Sequence, residues 1–272
     1  MGCDDRNLIS SHNVITLLTD FGEQDGFVGI MKGVIAKINP NARVIDISHQ
    51  IPSHRIDAAA FVLHNAYSYF PEGTIHMVVV DPGVGSERRI IACSANCQIF
   101  LAPDNGVLKY IFHEFNIDSV IHISNRIYFL EAISHTFHGR DIFAPVAAHL
   151  SRGANLSELG EPIFDFERGG VLLPQSSENF IRGQIIYIDK FGNLITNIRH
   201  TSLPASVSSG RMRIMGRGFE INTVNDSYAA AEDMEPLAIW GSHGYLEIAV
   251  NQKRANEVLK MTYGEQIFIH WN

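Results

Sequence analysis

Hydrophobic and polar positions change rhythm once along this chain, near residue 160. Residues 14–18 are a short β-branched and leucine run, which predicts a buried strand ending in the polar turn Thr19-Asp20-Phe21-Gly22. Phe27, Ile30, Met31, Val34, Ile35 and Ile38 then recur at helical spacing and predict an amphipathic helix, stopped by Asn39-Pro40-Asn41. Residues 43–47 read as a strand and residues 57–69 as a helix closed by Pro71-Glu72-Gly73. Residues 75–80 are a continuous apolar strand suited to the centre of a parallel sheet. Further strands are predicted at 90–93, 98–102 and 119–123. Pro103-Asp104-Asn105-Gly106 opens a helix through Phe112, and residues 139–152 form another, with Pro145 either kinking it or lying in its first turn. Strand–helix alternation of this kind implies βαβ units with helices on both faces of a sheet.

After Gly160 the helical spacing disappears. Residues 161–179 are irregular and contain two prolines, so they read as a linker. Short strands with turn signals follow at 181–189, 194–197, 211–215, 219–224, 237–240, 246–250 and 266–269, and only 254–259 looks helical. The expected architecture is an α/β domain over 12–165 with a central, mostly parallel sheet. A smaller, all-β, barrel-like domain over 178–272 follows it.

Composition narrows the function classes. Of 272 residues 46% are hydrophobic and 18% charged, enough for a sizeable core, so global disorder is excluded. A net charge of −8 argues against nucleic acid as the main partner. The apolar runs are strand-length, well short of the ~20 residues a membrane helix needs, so no membrane partner is expected. The polar first thirteen residues lack the apolar core of a signal peptide. Cys3, Cys93 and Cys97 are too few for a disulfide framework and predict reduced thiols in a cytoplasmic protein, with Cys93 and Cys97 in the core.

Ligands of open parallel sheets bind beyond the carboxyl ends of the strands. That rule selects Asp20 and Asp25 after the first strand, Asp81 and Arg88 after the third, and Asp104-Asn105 after the strand at 98–102. The run from His135 to Asp141 precedes a helix. Each set also has a plain structural explanation: a turn at Asp20, an N-cap at Asp25, capping by Asp81, a turn at Asp104-Asn105, a hydrogen-bonded surface histidine at His138. His135 and His138, three apart, have a spacing that serves metals, but no third ligand stands in register, so no metal site is assigned. No Walker loop or G-x-G-x-x-G follows the first strand. An acid there suits ribose hydroxyls better than phosphates.

Six motifs occur in order: Thr19-Asp20-Phe21-Gly22; Phe70-Pro71-Glu72-Gly73-Thr74; Asp81-Pro82-Gly83-Val84-Gly85-Ser86 with Arg88-Arg89; Ala102-Pro103-Asp104-Asn105-Gly106; Asp189-Lys190-Phe191-Gly192-Asn193; and Gly241-Ser242-His243-Gly244-Tyr245-Leu246. Together, over residues ~14–271, they resemble the S-adenosyl-L-methionine (SAM) hydroxide adenosyltransferases, the adenosine-forming SAM hydrolases related to fluorinase and chlorinase. The resemblance implies an α/β domain followed by a small β-barrel, assembled as a homotrimer with active sites at subunit interfaces. It implies hydrolysis of SAM to adenosine and L-methionine by water attacking the ribose 5′ carbon, with SAM as substrate and no cofactor or metal. By matching motifs, Asp81, Arg88 and His138 fall on the catalytic set, and Asp20 on the aspartate that holds the ribose hydroxyls. Asp25 and Asp189 fall near the methionine amino group, Asn193 faces adenine with Phe191 stacking on it, and Ser242 lies near the methionine carboxylate.

The departures from the halogenases are specific. Asp81 stands where they carry an aromatic residue, the stretch near His54 lacks their tryptophan, and Val84 replaces a threonine of the halide pocket. His243 stands in place of an arginine. Alternatives are halide transfer in the same fold, a sensor that binds SAM or adenosine without turnover, and a metal-dependent hydrolase built on His135, His138 and Asp141.

Overall fold

The computed structural model describes residues 13–204, 207 and 212–271. Cys3, the polar start of the chain and the expected strand start at Arg211 lie outside these residues. The chain divides into two compact units, the first ending at Val171 and the second beginning at Leu172.

The first unit is built on a six-stranded sheet of β1 (Val14–Thr19), β2 (Arg43–Ser48), β3 (Ile75–Val79), β4 (Ile90–Ala95), β5 (Gln98–Pro103) and β6 (Ile117–His122), in the order β2-β1-β3-β5-β4-β6. β1 pairs in parallel with β2 and β3, and β3 with β5, while β4 runs antiparallel to both its neighbours. Every residue of β1 and β3 is buried, the pattern of strands covered on both faces. The chain leaves β1 toward β2 on one side and then returns across β1 to β3 on the other. The carboxyl ends of β1 and β3 therefore flank the point where strand order reverses, the usual place for a ligand crevice.

Local chemistry explains where the elements depart from expectation. Helix α1 (Phe27–Ile38) buries Val28, Met31 and Ile35, but Phe27 and Ile30 remain 43% and 46% exposed, so its apolar stripe is wider than its covered face. Its N-cap is Gly26, not Asp25. Helix α2 (Ile56–Ala66) runs on into a short turn through Tyr69, and α3 is Lys109–Glu114. The helix predicted over 139–152 is instead a π turn, Gly139–Phe143, followed by α4 (Ala144–Leu150). The cause is Pro145, which cannot donate to the Asp141 carbonyl. That carbonyl accepts from Leu130 N–H at 2.9 Å, and Ala144 N–H reaches back five residues to Gly139.

β4 and β5 are joined by Asn96-Cys97, both at positive φ (49° and 58°), the geometry of a two-residue hairpin turn. Cys97 therefore sits half-buried in a turn, which overturns its reading as a core residue. Cys93 is a buried free thiol. Residues 161–171 are irregular, as expected of a linker, yet they are fastened to the first unit. Arg89 holds Asp165 at 2.7 Å, Asp104 accepts from Glu167 N–H at 2.7 Å, and Phe166 packs on Phe112.

The second unit is a nine-stranded, nearly closed, barrel-like sheet. Its strands are β7 (Gln175–Ser176), β8 (Phe180–Ile188), β9 (Leu194–Arg199), β10 (Met212–Gly216), β11 (Phe219–Ile221), β12 (Val224–Asn225), β13 (Pro236–Trp240), β14 (Tyr245–Val250) and β15 (Gln266–Trp271). They run β11-β10-β15-β8-β9-β14-β13-β12, with β7 added on β8, around a core that includes Ile181, Leu194, Ile214, Ile248 and Ile269. The short helix α5 is Ala255–Val258. Among the described residues no helix is long and apolar enough to cross a membrane.

Candidate active site

A cavity of about 240 Å³ opens at the carboxyl ends of β1 and β3. Asp20, Phe21, Ser53, His54, Val79, Asp81, Val84, Thr136, Phe137, His138 and Gly139 line it. Four chain segments that are distant in sequence meet there, at the point where the strand order reverses between β1 and β3.

Arg88 ties two of these segments together. Its Nε donates to Asp81 Oδ1 and Oδ2 at 2.9 and 2.8 Å, and its Nη2 donates to Asp81 Oδ2 and, at 2.9 Å, to His138 Nδ1. The Asp81 and Arg88 side chains are only 5% and 12% exposed. A guanidinium has no acceptor, so the bond to His138 runs from Arg88 to a lone pair on Nδ1. The ring is therefore neutral and carries its proton on Nε2. Burial and then the adjacent Arg88 charge push the His138 pKa below its ordinary 6.5, which agrees with that state.

The backbone beneath this trio permits only certain residues. Gly85 has φ +78°, and a Cβ there would lie 2.3 Å from the His135 carbonyl oxygen, so the Asp81 loop and the His135–His138 loop touch through bare backbone. Asp141, fully buried, accepts from Ser134 N–H and Oγ–H at 2.8 Å each and from Arg140 Nε at 2.6 Å. Burial raises its carboxyl pKa, but those donors outweigh it and hold the group below the usual carboxylate range. Asp141 thus shapes the loop that carries His138. No three His, Cys, Asp or Glu side chains gather into a metal-binding group among the described residues.

Asp20, which lines the cavity, accepts from His54 N–H on Oδ2 at 2.8 Å and keeps Oδ1 for another donor. His54 has φ +66°, a strained conformation for a non-glycine residue and one that sequence alone does not announce. Phe137 packs edge to face on Phe21 and Phe27, which are tilted against each other, with centroids 5.2–6.0 Å apart. Asp25 is exposed and does not line the cavity. Asp104 and Asn105 are committed to structure, Asp104 on Arg89 and Glu167 N–H, and Asn105 on the Val80 carbonyl at 3.1 Å.

In the second unit, Asp189, Phe191 and Asn193 lie in the turn between β8 and β9, and Ser242 in the turn between β13 and β14. Asp189 accepts from Asn193 N–H and Nδ2–H at 2.8 and 2.9 Å, so the buried Asn193 keeps its Oδ1 for another donor. Phe191 is 74% exposed and Ser242 is exposed. Both turns border Glu247, which sequence reading missed although it is a lone acid in the otherwise apolar β14. Burial and then the Asp189 charge raise the Glu247 pKa, Tyr228 Oη–H donates to it at 2.9 Å, and its carboxylate fills the space a side chain at Gly241 would need.

Residues 15–160 match the SAM hydroxide adenosyltransferase N-terminal domain, and residues 183–268 match the C-terminal domain. The chain belongs to the SAM hydroxide adenosyltransferase family. It is 35% identical over 266 residues to an (R)-S-adenosyl-L-methionine hydrolase of Salinispora arenicola, covering 93% of this chain and 96% of that one. A crystal structure of an uncharacterized conserved protein from Thermotoga maritima superposes with a TM-score of 0.87 at 37% identity, covering 94% of this chain and 99% of that one. A fluorinase of Actinoplanes sp. is a more distant member of this group of relatives, 26% identical over 88% of this chain and 91% of its own.

Proposed function

We propose that this chain hydrolyses S-adenosyl-L-methionine to adenosine and L-methionine by attack of water at the ribose 5′ carbon. The observation that carries the proposal is Arg88 bridging Asp81 and His138 on the wall of the β1–β3 cavity. The guanidinium engages Asp81 Oδ1 once and Oδ2 twice, and takes the Nδ1 lone pair of His138. What remains is an acceptor on Asp81 and an Nε2–H donor on His138, a matched pair for orienting one water.

The step balances without a cofactor. The water oxygen forms a bond to the 5′ carbon, the carbon–sulfur bond breaks, and sulfur keeps the electron pair as a neutral thioether. No acid has to protonate the leaving group. As the new bond forms, the attacking oxygen becomes positively charged and its protons strongly acidic. The Asp81 carboxylate is then base enough, and Asp81 takes the proton because His138 has its Nδ1 lone pair committed to Arg88. Holding water in line behind the carbon contributes on the order of several kcal/mol. The Asp81 carboxylate repels fluoride and chloride from the same position, which disfavours halide transfer.

Asp20 Oδ1 is assigned to the ribose hydroxyls. Asp25 and Asp189 are assigned to the methionine amino group, Asn193 and Phe191 to adenine, and Ser242 to the methionine carboxylate. The exposed Phe191 ring and the unspent Asn193 Oδ1 support these assignments. A homotrimer whose sites draw on neighbouring subunits, no bound cofactor, and a cytoplasmic location complete the proposal. Co-refolding Asp81→Ala with Asn193→Ala restores activity if sites are shared between chains, and leaves the mixture no more active than the separate variants if they are not. The central test is to incubate the protein with SAM in ¹⁸O-water, with and without halide. Labelled adenosine supports the reading; unlabelled adenosine or a 5′-halo-nucleoside overturns it.

A further inference from the structure

Beneath Asp20 runs a line of polar side chains that the proposed chemistry does not use. Lys32 Nζ on α1 donates to Asp46 Oδ2 at 2.6 Å. Asp46 Oδ1, at the end of β2, lies 3.0 Å from His49 Nε2, off the line of an ideal hydrogen bond. His49 Nδ1 lies 2.9 Å from Thr19 Oγ1. Thr19 Oγ1 in turn accepts from Phe21 N–H at 3.3 Å, and the His49 carbonyl accepts from Gly22 N–H at 2.8 Å. Thr19 is fully buried and His49 is 3% exposed.

The protons along this line sort themselves in one way. Phe21 N–H uses a lone pair on the Thr19 oxygen. A carboxylate facing Nε2 calls for a proton there, so His49 presents a lone pair at Nδ1 and the Thr19 hydroxyl donates to it. Every donor then faces an acceptor from Lys32 to the Phe21 amide. An acid–histidine–hydroxyl line is also the outline of a nucleophilic triad. Here the hydroxyl has no exposure and its oxygen is already engaged, so it holds the backbone and attacks nothing.

We propose that His49 is a positioning residue: with Thr19 and Asp46 it fixes the Thr19–Gly22 turn and so aims the Asp20 carboxylate. This line and the His49 backbone supply two bonds to the turn, and Asp20 on His54 N–H supplies another. The benefit to catalysis rests on the reading that Asp20 holds the ribose hydroxyls.

The test separates position from function. Amide hydrogen exchange at Phe21, Gly22 and His54 reports the turn directly, because the His54 amide is protected only while Asp20 stays in place. Thr19→Val keeps the shape and removes the hydroxyl; His49→Leu breaks the line at its centre; Thr19→Ser restores the hydroxyl. Exchange at the three amides rises about fivefold to tenfold in the first two variants, the factor that loss of about one hydrogen bond gives, and returns to the original rate in Thr19→Ser. In parallel, the wild-type preference in kcat/KM for SAM over its 2′-deoxy analogue shrinks by a similar factor in Thr19→Val and His49→Leu, through KM more than kcat. Should His49→Leu not fold, Thr19→Val carries the test alone. Unchanged exchange in folded Thr19→Val overturns the proposal. Faster exchange with a wild-type enzyme indifferent to the 2′-hydroxyl leaves His49 as positioning residue and removes Asp20 from the ribose.

Discussion

Replacing Arg88 with methionine is the sharpest test of the bridge. The substitution keeps much of the side-chain volume and removes every bond to Asp81 and to His138 Nδ1. It strands a carboxylate whose side chain is 5% exposed. Breaking a buried pair by deleting one partner costs about 3–5 kcal/mol, because the remaining charge is left uncompensated. Urea unfolding at pH 7 should therefore lower the stability of Arg88→Met by about 3–5 kcal/mol. Adding Asp81→Asn removes the stranded charge and should recover most of the loss while leaving turnover absent. A deficit under about 1 kcal/mol at pH 7, or a double variant as unstable as the single one, refutes the bridge as the organising contact.

Further outcomes follow from the same geometry. Gly85→Ala, which must place a Cβ 2.3 Å from the His135 oxygen at φ +78°, should cut kcat by about tenfold or more while adenosine binding measured by calorimetry changes little; an unchanged kcat refutes the coupling of the two loops. His138 works neutral and its pKa is lowered from 6.5, so kcat/KM should stay level as pH falls past 6.5 and decline only below it, and His138→Gln should be slow with no such decline. Burial lowers the His76 pKa to about 4, so its contribution to stability is complete above 6.5 and is lost as pH falls from 6.5 through about 4; a protein whose urea midpoint is flat over that range contradicts this. Because the leaving group is a neutral thioether, dialysis against a strong chelator should leave turnover unchanged, and activity lost and then restored by zinc or magnesium would favour the metal-hydrolase alternative.

The sheet strands were readable because β1 and β3 are continuous apolar runs and the turns after them carry the acids. The motif at Asp81 and Arg88 was readable for the same reason: both side chains sit in one short loop. Three features escaped. The π turn depends on what becomes of the Asp141 carbonyl once Pro145 cannot bond it, and that partner, Leu130, is set by tertiary folding. The positive φ of His54 is imposed from outside by Asp20, with no glycine to mark it. Phe27 and Ile30 fit a helical stripe, but periodicity records which residues share a face and not how far a neighbour extends across it. Glu247 did leave a signal, a single charge in an apolar strand, and its meaning needed the neighbouring turns.

The π turn at Gly139–Phe143 sets the angle at which His138 meets Arg88. It holds one residue more than an α-helix would need, and His138 stands directly before it. Deleting one residue there would shorten the path from His138 to α4 by one position, and each residue of an α-helix turns by about 100°, while Pro145 would still leave the carbonyl four residues before it without a helical donor. His138 would swing off the Arg88 nitrogen while β1, β3 and Asp20 stayed where they are. The count of residues in this one turn thus decides whether His138 reaches the Arg88 nitrogen at all.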